Sequence, residues 1–98
     1  MIKIDYTVQG PLGWCARASS VLVQSVIYTK SICRYKIISR PPNSVGDTPH
    51  EDDLKSIMRV LMGAASKGTV VEISIDGPDE IEVEKAVKIA LVRSEDFK

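Results

Sequence analysis

The sequence predicts an α+β fold, with helices packed on one face of a mostly antiparallel sheet. Three observations predict it. The strand-like stretches alternate apolar and polar residues, so each offers one side to a core and one to water. The helix-like stretches carry apolar residues along one stripe only. The two kinds follow one another in the order β-α-β-(β)-α-β-α, with no internal repeat. At 98 residues the chain is expected to form a single domain, 1–98, around one core.

Ile2, Ile4, Tyr6 and Val8 alternate with Lys3, Asp5 and Thr7, the pattern of a half-buried strand. Gly10-Pro11-Leu12-Gly13 ends it. From Ala16 the period becomes helical: Ala18, Val21, Leu22, Ser25 and Val26 share one face, and the helix is expected to end near Tyr28-Thr29-Lys30. Ser31 to Ile38 reads as a second strand, with Cys33, Tyr35 and Ile37 on one side and Arg34 and Lys36 on the other. Arg40 to Asp53 holds Pro41, Pro42, Gly46 and Pro49 and the acidic run Glu51-Asp52-Asp53, which indicates a long surface loop with room for a short strand. Leu54, Ile57, Met58 and Leu61 mark a short second helix that stops before Lys67-Gly68. Thr69 to Asp76 is the clearest strand, with Val71, Ile73 and Ile75 on one face. Gly77-Pro78-Asp79-Glu80 opens the last helix with proline and acids in its first turn, as the helix dipole favours. Its buried stripe is Val83, Ala86, Val87, Ala90 and Leu91, and Lys85, Lys88 and Arg93 with Glu82 and Glu84 form its solvated side.

Lysine plus arginine equals aspartate plus glutamate, 13 of each, so no nucleic-acid or membrane partner is expected. Aromatic residues at 5% leave little for base stacking. No apolar run approaches the ~20 residues of a membrane helix, and Met1-Ile2-Lys3-Ile4-Asp5 lacks the apolar core of a signal peptide. The expected location is cytoplasmic, where Cys15 and Cys33 stay reduced. Two cysteines are too few for a zinc site, and the single histidine, His50, falls in the loop-like stretch, so neither a metal nor another cofactor is expected.

Chemistry concentrates at Gly13-Trp14-Cys15-Ala16-Arg17-Ala18-Ser19, the junction of the first loop and the first helix. A helix N-terminus presents unpaired N–H groups that bind anions and favour a thiolate. Arg17 adds a fork-shaped cation, in a place that opposes the dipole unless an anion comes to that end. Plainer roles stand beside these. A cysteine is often a small buried hydrophobe, an arginine on a first turn is often simply solvated, and Trp14 packs under the loop or lines a binding surface. Ser56, just ahead of an apolar run, reads as an N-cap worth ~1 kcal/mol. Cys33 reads as core, His50 as a solvated loop residue and the acidic run as a solvated stretch.

The junction resembles Gly-Leu-His-Ala-Arg-Pro-Ala of the HPr phosphocarriers, with Cys15 where that family keeps its phosphorylated histidine. Leu54-Lys55-Ser56-Ile57-Met58-Arg59-Val60-Leu61 resembles the family's Lys-Ser-Ile-Met segment around a regulatory serine. Lys67-Gly68-Thr69-Val70-Val71-Glu72-Ile73-Ser74-Ile75-Asp76-Gly77, then Asp79-Glu80 and a closing helix, make a third match, and the three run in order along essentially the whole chain.

This resemblance implies the open-faced βαββαβα sandwich, an antiparallel sheet with three helices on one face. It also implies Cys15 and Arg17 at the phosphoryl site, and Ser56 as the site of regulatory phosphorylation. Trp14, Ile57, Met58 and Leu61 would meet partners: enzyme I, enzyme IIA-type proteins, and HPr kinase or a regulator. The departures are Cys15 for histidine, Ala18 for proline, Trp14 for a smaller apolar residue, and a longer loop from Ser39 to Asp53 whose prolines can erase one strand. Crh proteins, which are similar, also lack the histidine and keep the serine. The function so implied is a regulatory or adaptor protein of the phosphoenolpyruvate-dependent sugar phosphotransferase system, a phosphoprotein rather than a turnover enzyme. The alternatives are a phosphocarrier using phosphocysteine at Cys15, and a redox-active thiol protein.

Overall fold

The chain folds as β1 (Ile2–Thr7), α1 (Ala16–Val26), β2 (Ile32–Ser39), β3 (His50–Asp53), α2 (Ile57–Met62), β4 (Val70–Asp76) and α3 (Glu80–Ser94) in a computed structural model that describes residues 1–96. The four strands form one antiparallel sheet in the order β1-β4-β2-β3.

Register follows from the apolar pattern. Ile2, Ile4 and Tyr6 stand opposite Ile75, Ile73 and Val71, and these in turn stand opposite Cys33, Tyr35 and Ile37. Residues directly opposite share a face, so one apolar surface runs across three strands. It is buried on the two central strands and half-buried on β1 at the edge. Leu22, Val23 and Val26 of α1, Val83, Val87, Ala90 and Leu91 of α3, and Val60 of α2 close over it, so all three helices lie on one face. Each valine or leucine among them contributes ~1.5–3 kcal/mol on leaving water. The other face is open and carries the ion pairs Lys3–Glu72 at 3.7 Å and Arg34–Glu51 at 3.1 Å.

Two boundaries and one stripe differ from the sequence reading. α1 stops at Val26, short of Tyr28-Thr29-Lys30, because the Thr29 hydroxyl donates to the Val26 carbonyl at 2.6 Å and occupies an acceptor of the last turn. The chain is then caught by Asp79, which accepts from the Lys30 N–H at 2.9 Å and from the Ser31 hydroxyl. Those two donors hold the Asp79 carboxyl below the usual carboxylate range. On α1, Ser19 and Val23 are buried while Val21 and Ser25 are only half-buried, since α1 packs on α3 as well as on the sheet. α2 begins later than Leu54, which is fully buried ahead of it.

The loop after β2 keeps its strand. Its last four residues, His50–Asp53, form β3, with His50 opposite Ile37 and Asp52 opposite Tyr35. His50 is therefore not a solvated loop residue, because its Nε2 lies 3.2 Å from the Tyr35 hydroxyl. The acidic run is not merely solvated either. Glu51 meets Arg34 on the open face, and Asp52 accepts from Arg59 at 3.1 Å on the helix face. These ion pairs support a strand whose residue types have low intrinsic β-propensity. Arg40 organises the rest of the loop. It donates from Nε to the Asp47 carbonyl at 3.1 Å, from Nη1 to Val45 at 2.9 Å and Ala64 at 3.1 Å, and from Nη2 to Gly63 at 2.8 Å.

Candidate functional site

The turn after β1 is fixed from both sides. Val8 exchanges backbone hydrogen bonds with the β4 approach, to Thr69 at 2.9 Å and from Gly68 at 2.8 Å. The Gly13 N–H closes the turn on Gly10 at 2.8 Å. Gly13 has φ +63°, and a Cβ there would lie 2.4 Å from the Ala65 carbonyl oxygen, so the position needs glycine for its conformation and its space. The close approach lets the Trp14 N–H donate to Ala65 at 2.8 Å.

The Trp14 indole turns inward, 4% exposed, and meets Tyr35 edge-on at 5.9 Å and 74°. Trp14 is thus not a partner-surface residue. Its large apolar area is better buried under the loop, on the aromatic Tyr35. Tyr35 in turn donates to the Arg59 carbonyl, and burial with the nearby Asp52 charge pushes its hydroxyl up to about 12.

Cys15 is the N-cap of α1, with extended backbone. Its carbonyl accepts from the Ser19 N–H at 2.8 Å, and the Ser19 hydroxyl donates to the Trp14 carbonyl at 3.1 Å. The thiol is half-exposed and makes no cap hydrogen bond, and the first turn of α1 holds no acid. Arg17 projects into solvent and forms no ion pair among the described residues. The positive end of an eleven-residue helix, an available thiol and a free guanidinium therefore share one turn, an arrangement that suits an incoming anion. Cys33 is fully buried, with its thiol pushed up by burial, and both cysteines are free.

Ser56 caps α2, its Oγ accepting from the Arg59 N–H at 3.4 Å. Around it Lys55 donates from Nζ to the Thr29 carbonyl at 2.9 Å, and Asp53 accepts the Lys55 N–H at 2.9 Å. The Asp53 N–H and then Arg59 hold the Asp52 carboxyl below the usual carboxylate range. Of α2 only Val60 is buried; Ile57, Met58, Leu61 and Met62 face outward as an apolar ridge. Ser56 and the Cys15 turn lie toward opposite ends of this helix, since the turn is tied to Ala65 past its C-terminus. Six residues of helix separate them, about 9 Å of rise.

Arg40 is the site's neighbour that sequence reasoning missed, because nothing local signals a clasp on carbonyls twenty-odd residues away. A groove of about 380 Å³ between α1 and α3, lined by Val21, Gln24, Ala86, Ile89 and Arg93, includes none of the expected site residues. Among the described residues, no His, Cys, Asp and Glu group could hold a metal ion, and no helix is long and apolar enough to cross a membrane.

A family model described as the PTS HPr component phosphorylation site matches residues 2–92. The chain is 38% identical over 92 residues to phosphocarrier protein HPr of Cupriavidus necator, covering 94% of this chain and 91% of that one. It is 38% identical over 80 residues to phosphocarrier protein HPr of Xylella fastidiosa, covering 82% and 79%. Among solved structures, a Mycoplasma histidine-containing phosphocarrier protein aligns with TM-score 0.80 over 96% of both chains, at 24% identity. HPr-C-His from Thermoanaerobacter tengcongensis aligns at 0.79 over 100% of this chain and 99% of that one, at 22% identity, and both structures speak for the fold alone.

Proposed function

The chain belongs to the HPr family of the phosphotransferase system, and from that premise we propose that it acts as a regulatory or adaptor protein through Ser56 and the α2 ridge. It is a phosphocarrier-type protein and not a turnover enzyme. One observation carries the reading: Cys15 occupies the α1 N-cap where the family keeps its histidine, while Ser56 and the outward Ile57, Met58 and Leu61 retain the family's pattern.

A phosphate on Ser56 would add acceptor oxygens beside Lys55 and Arg59. Repulsion from the nearby acids is reduced, because Asp52 is already paired with Arg59 and Asp53 already accepts a backbone N–H. The phosphorylated surface would then present a charge next to an apolar ridge, a combination a partner can read. On this reading residues 1–98 work as one cytoplasmic domain whose partners are HPr kinase, a regulator, and enzyme I or an enzyme IIA-type protein. Incubation with HPr kinase and ATP tests it, followed by mass spectrometry of the modified residue. Phosphate on Ser56 and tighter binding to the regulator are expected; an unmodified Ser56 would overturn the reading.

The unpaired Arg17 beside the uncapped Cys15 thiol favours a second reading, phosphocysteine carriage. The thiolate would attack phosphorus, forming the S–P bond as the donor's bond to phosphorus breaks, with Arg17 neutralising charge on the phosphoryl oxygens. Transfer from phosphorylated enzyme I to the wild type but not to Cys15→Ser is the expected result. No transfer to either would remove this reading and leave the first untouched.

A further inference from the structure

β1 is one edge of the sheet, hydrogen-bonded only to β4. Protein edges are commonly blunted by proline, a bulge or an inward-pointing charge. β1 has none of these: its inward residues are Ile2, Ile4 and Tyr6, and its pairing with β4 runs unbroken from Ile2 to Thr7. Those three side chains remain half-buried, whereas their neighbours Ile75, Ile73 and Val71 on β4 are fully buried. Apolar surface is left over at this edge. The opposite edge, β3, is only four residues long and acidic.

The outward residues of β1 carry a second feature. Asp5 stands directly opposite Glu72, a like-charge cross-strand pair, which is unfavourable. Lys3 reaches Glu72 at 3.7 Å, but Asp5 has no ion pair of its own among the described residues. Lys36 stands opposite Glu72 on its other side, so the free edge of β1 is the flank of Asp5 left open to a further cation.

We propose that two copies of this chain associate through β1, antiparallel about a twofold axis at Ile4, to make one sheet continuous across both. In this register Ile4 meets Ile4 of the second copy and Ile2 meets its Tyr6, all on the helix face. On the open face Lys3 meets Asp5 of the second copy, and the symmetry makes that pair twice. The strand itself selects the register. Sliding by one residue would set inward side chains against outward ones. Sliding by two would set Lys3 against Lys3, or Asp5 against Asp5. Charge complementarity and the leftover apolar edge therefore agree on one occupant, a second copy. Five paired residues make a small contact, so the dimer is weak and concentration-dependent.

Sedimentation equilibrium of the wild type over a concentration series at low salt tests this directly. A reversible monomer–dimer equilibrium, weakened by added salt, is expected. Lys3→Glu makes both outward charges acidic and Asp5→Lys makes both basic, so each variant alone should associate roughly tenfold or more weakly than wild type. Mixing the two should restore a heterodimer. Both positions are exposed on the open face, and a wild-type circular dichroism spectrum confirms that each variant is folded. A wild type that stays monomeric up to its solubility limit overturns the proposal. So do folded single variants that self-associate like wild type, or a mixture that forms no heterodimer.

Discussion

The Trp14 N–H donates to the carbonyl of Ala65 at 2.8 Å, and this one bond seats the Cys15 turn against the loop that follows α2. The helix that carries the thiol and the helix that follows Ser56 are thereby joined through backbone as well as through the core that Val60 shares with Leu22, Val23 and Val26.

Gly13→Ala should break that seat. The substitution puts a Cβ 2.4 Å from the Ala65 oxygen and forces an L-residue to φ +63°. A loss of ~1–3 kcal/mol in unfolding free energy is expected from the backbone strain alone, measured by urea titration against wild type.

The two thiols should separate cleanly by alkylation. Cys15 is half-exposed and Cys33 fully buried, with burial raising the Cys33 thiol. Iodoacetamide followed by mass spectrometry should show Cys15 modified in the native protein and Cys33 modified only in denaturant. Equal labelling of both in the native state would contradict the packing of β2.

Arg40→Ala should free the 41–49 segment without unfolding the sheet. The variant loses four charge-assisted hydrogen bonds, to Val45, Asp47, Gly63 and Ala64, which water partly replaces because three of the four are exposed. Faster proteolysis within that segment, with peptides mapped by mass, is the expected readout.

Alkaline pH should reveal the buried hydroxyls. Tyr35 is raised to about 12 by burial and the Asp52 charge, and Tyr6 to about 12 by burial and its bond to Glu95. A folded-state value above the unfolded 10.0 means the folded chain holds its proton longer. The contribution to stability is therefore full below pH ~10 and lost as pH rises toward ~12. Urea midpoints measured across that window should fall with pH, and less steeply in Tyr6→Phe and Tyr35→Phe.

Most of the fold was legible because its strands alternate strictly; Val71, Ile73 and Ile75 alone determine which way β4 faces. β3 was legible only as room for a short strand in the loop, because His-Glu-Asp-Asp has no apolar alternation and its ion pairs come from Arg34 and Arg59 elsewhere in the chain. Cys15 and Ser56 could be placed from sequence, since helix starts have local chemistry. For Trp14 the residues alone allow packing under the loop or a place on a binding surface, because its burial depends on Tyr35, which no local pattern places beneath it. Periodicity in so short a helix does not show Ile57, Met58 and Leu61 turning outward; the resemblance alone implies it, and they are exposed.

The Arg40 clasp has a consequence for how this surface can change over generations. Every partner of its guanidinium is a main-chain oxygen, so the hold asks nothing of the side chains at Val45 or Asp47. Substitutions there can alter what the loop displays beside α2 and leave its path intact. Gly46 is the exception, since a Cβ at that position would lie 2.6 Å from the guanidinium itself. One glycine and one arginine thus fix the path of a long loop and leave the side chains it displays free to vary.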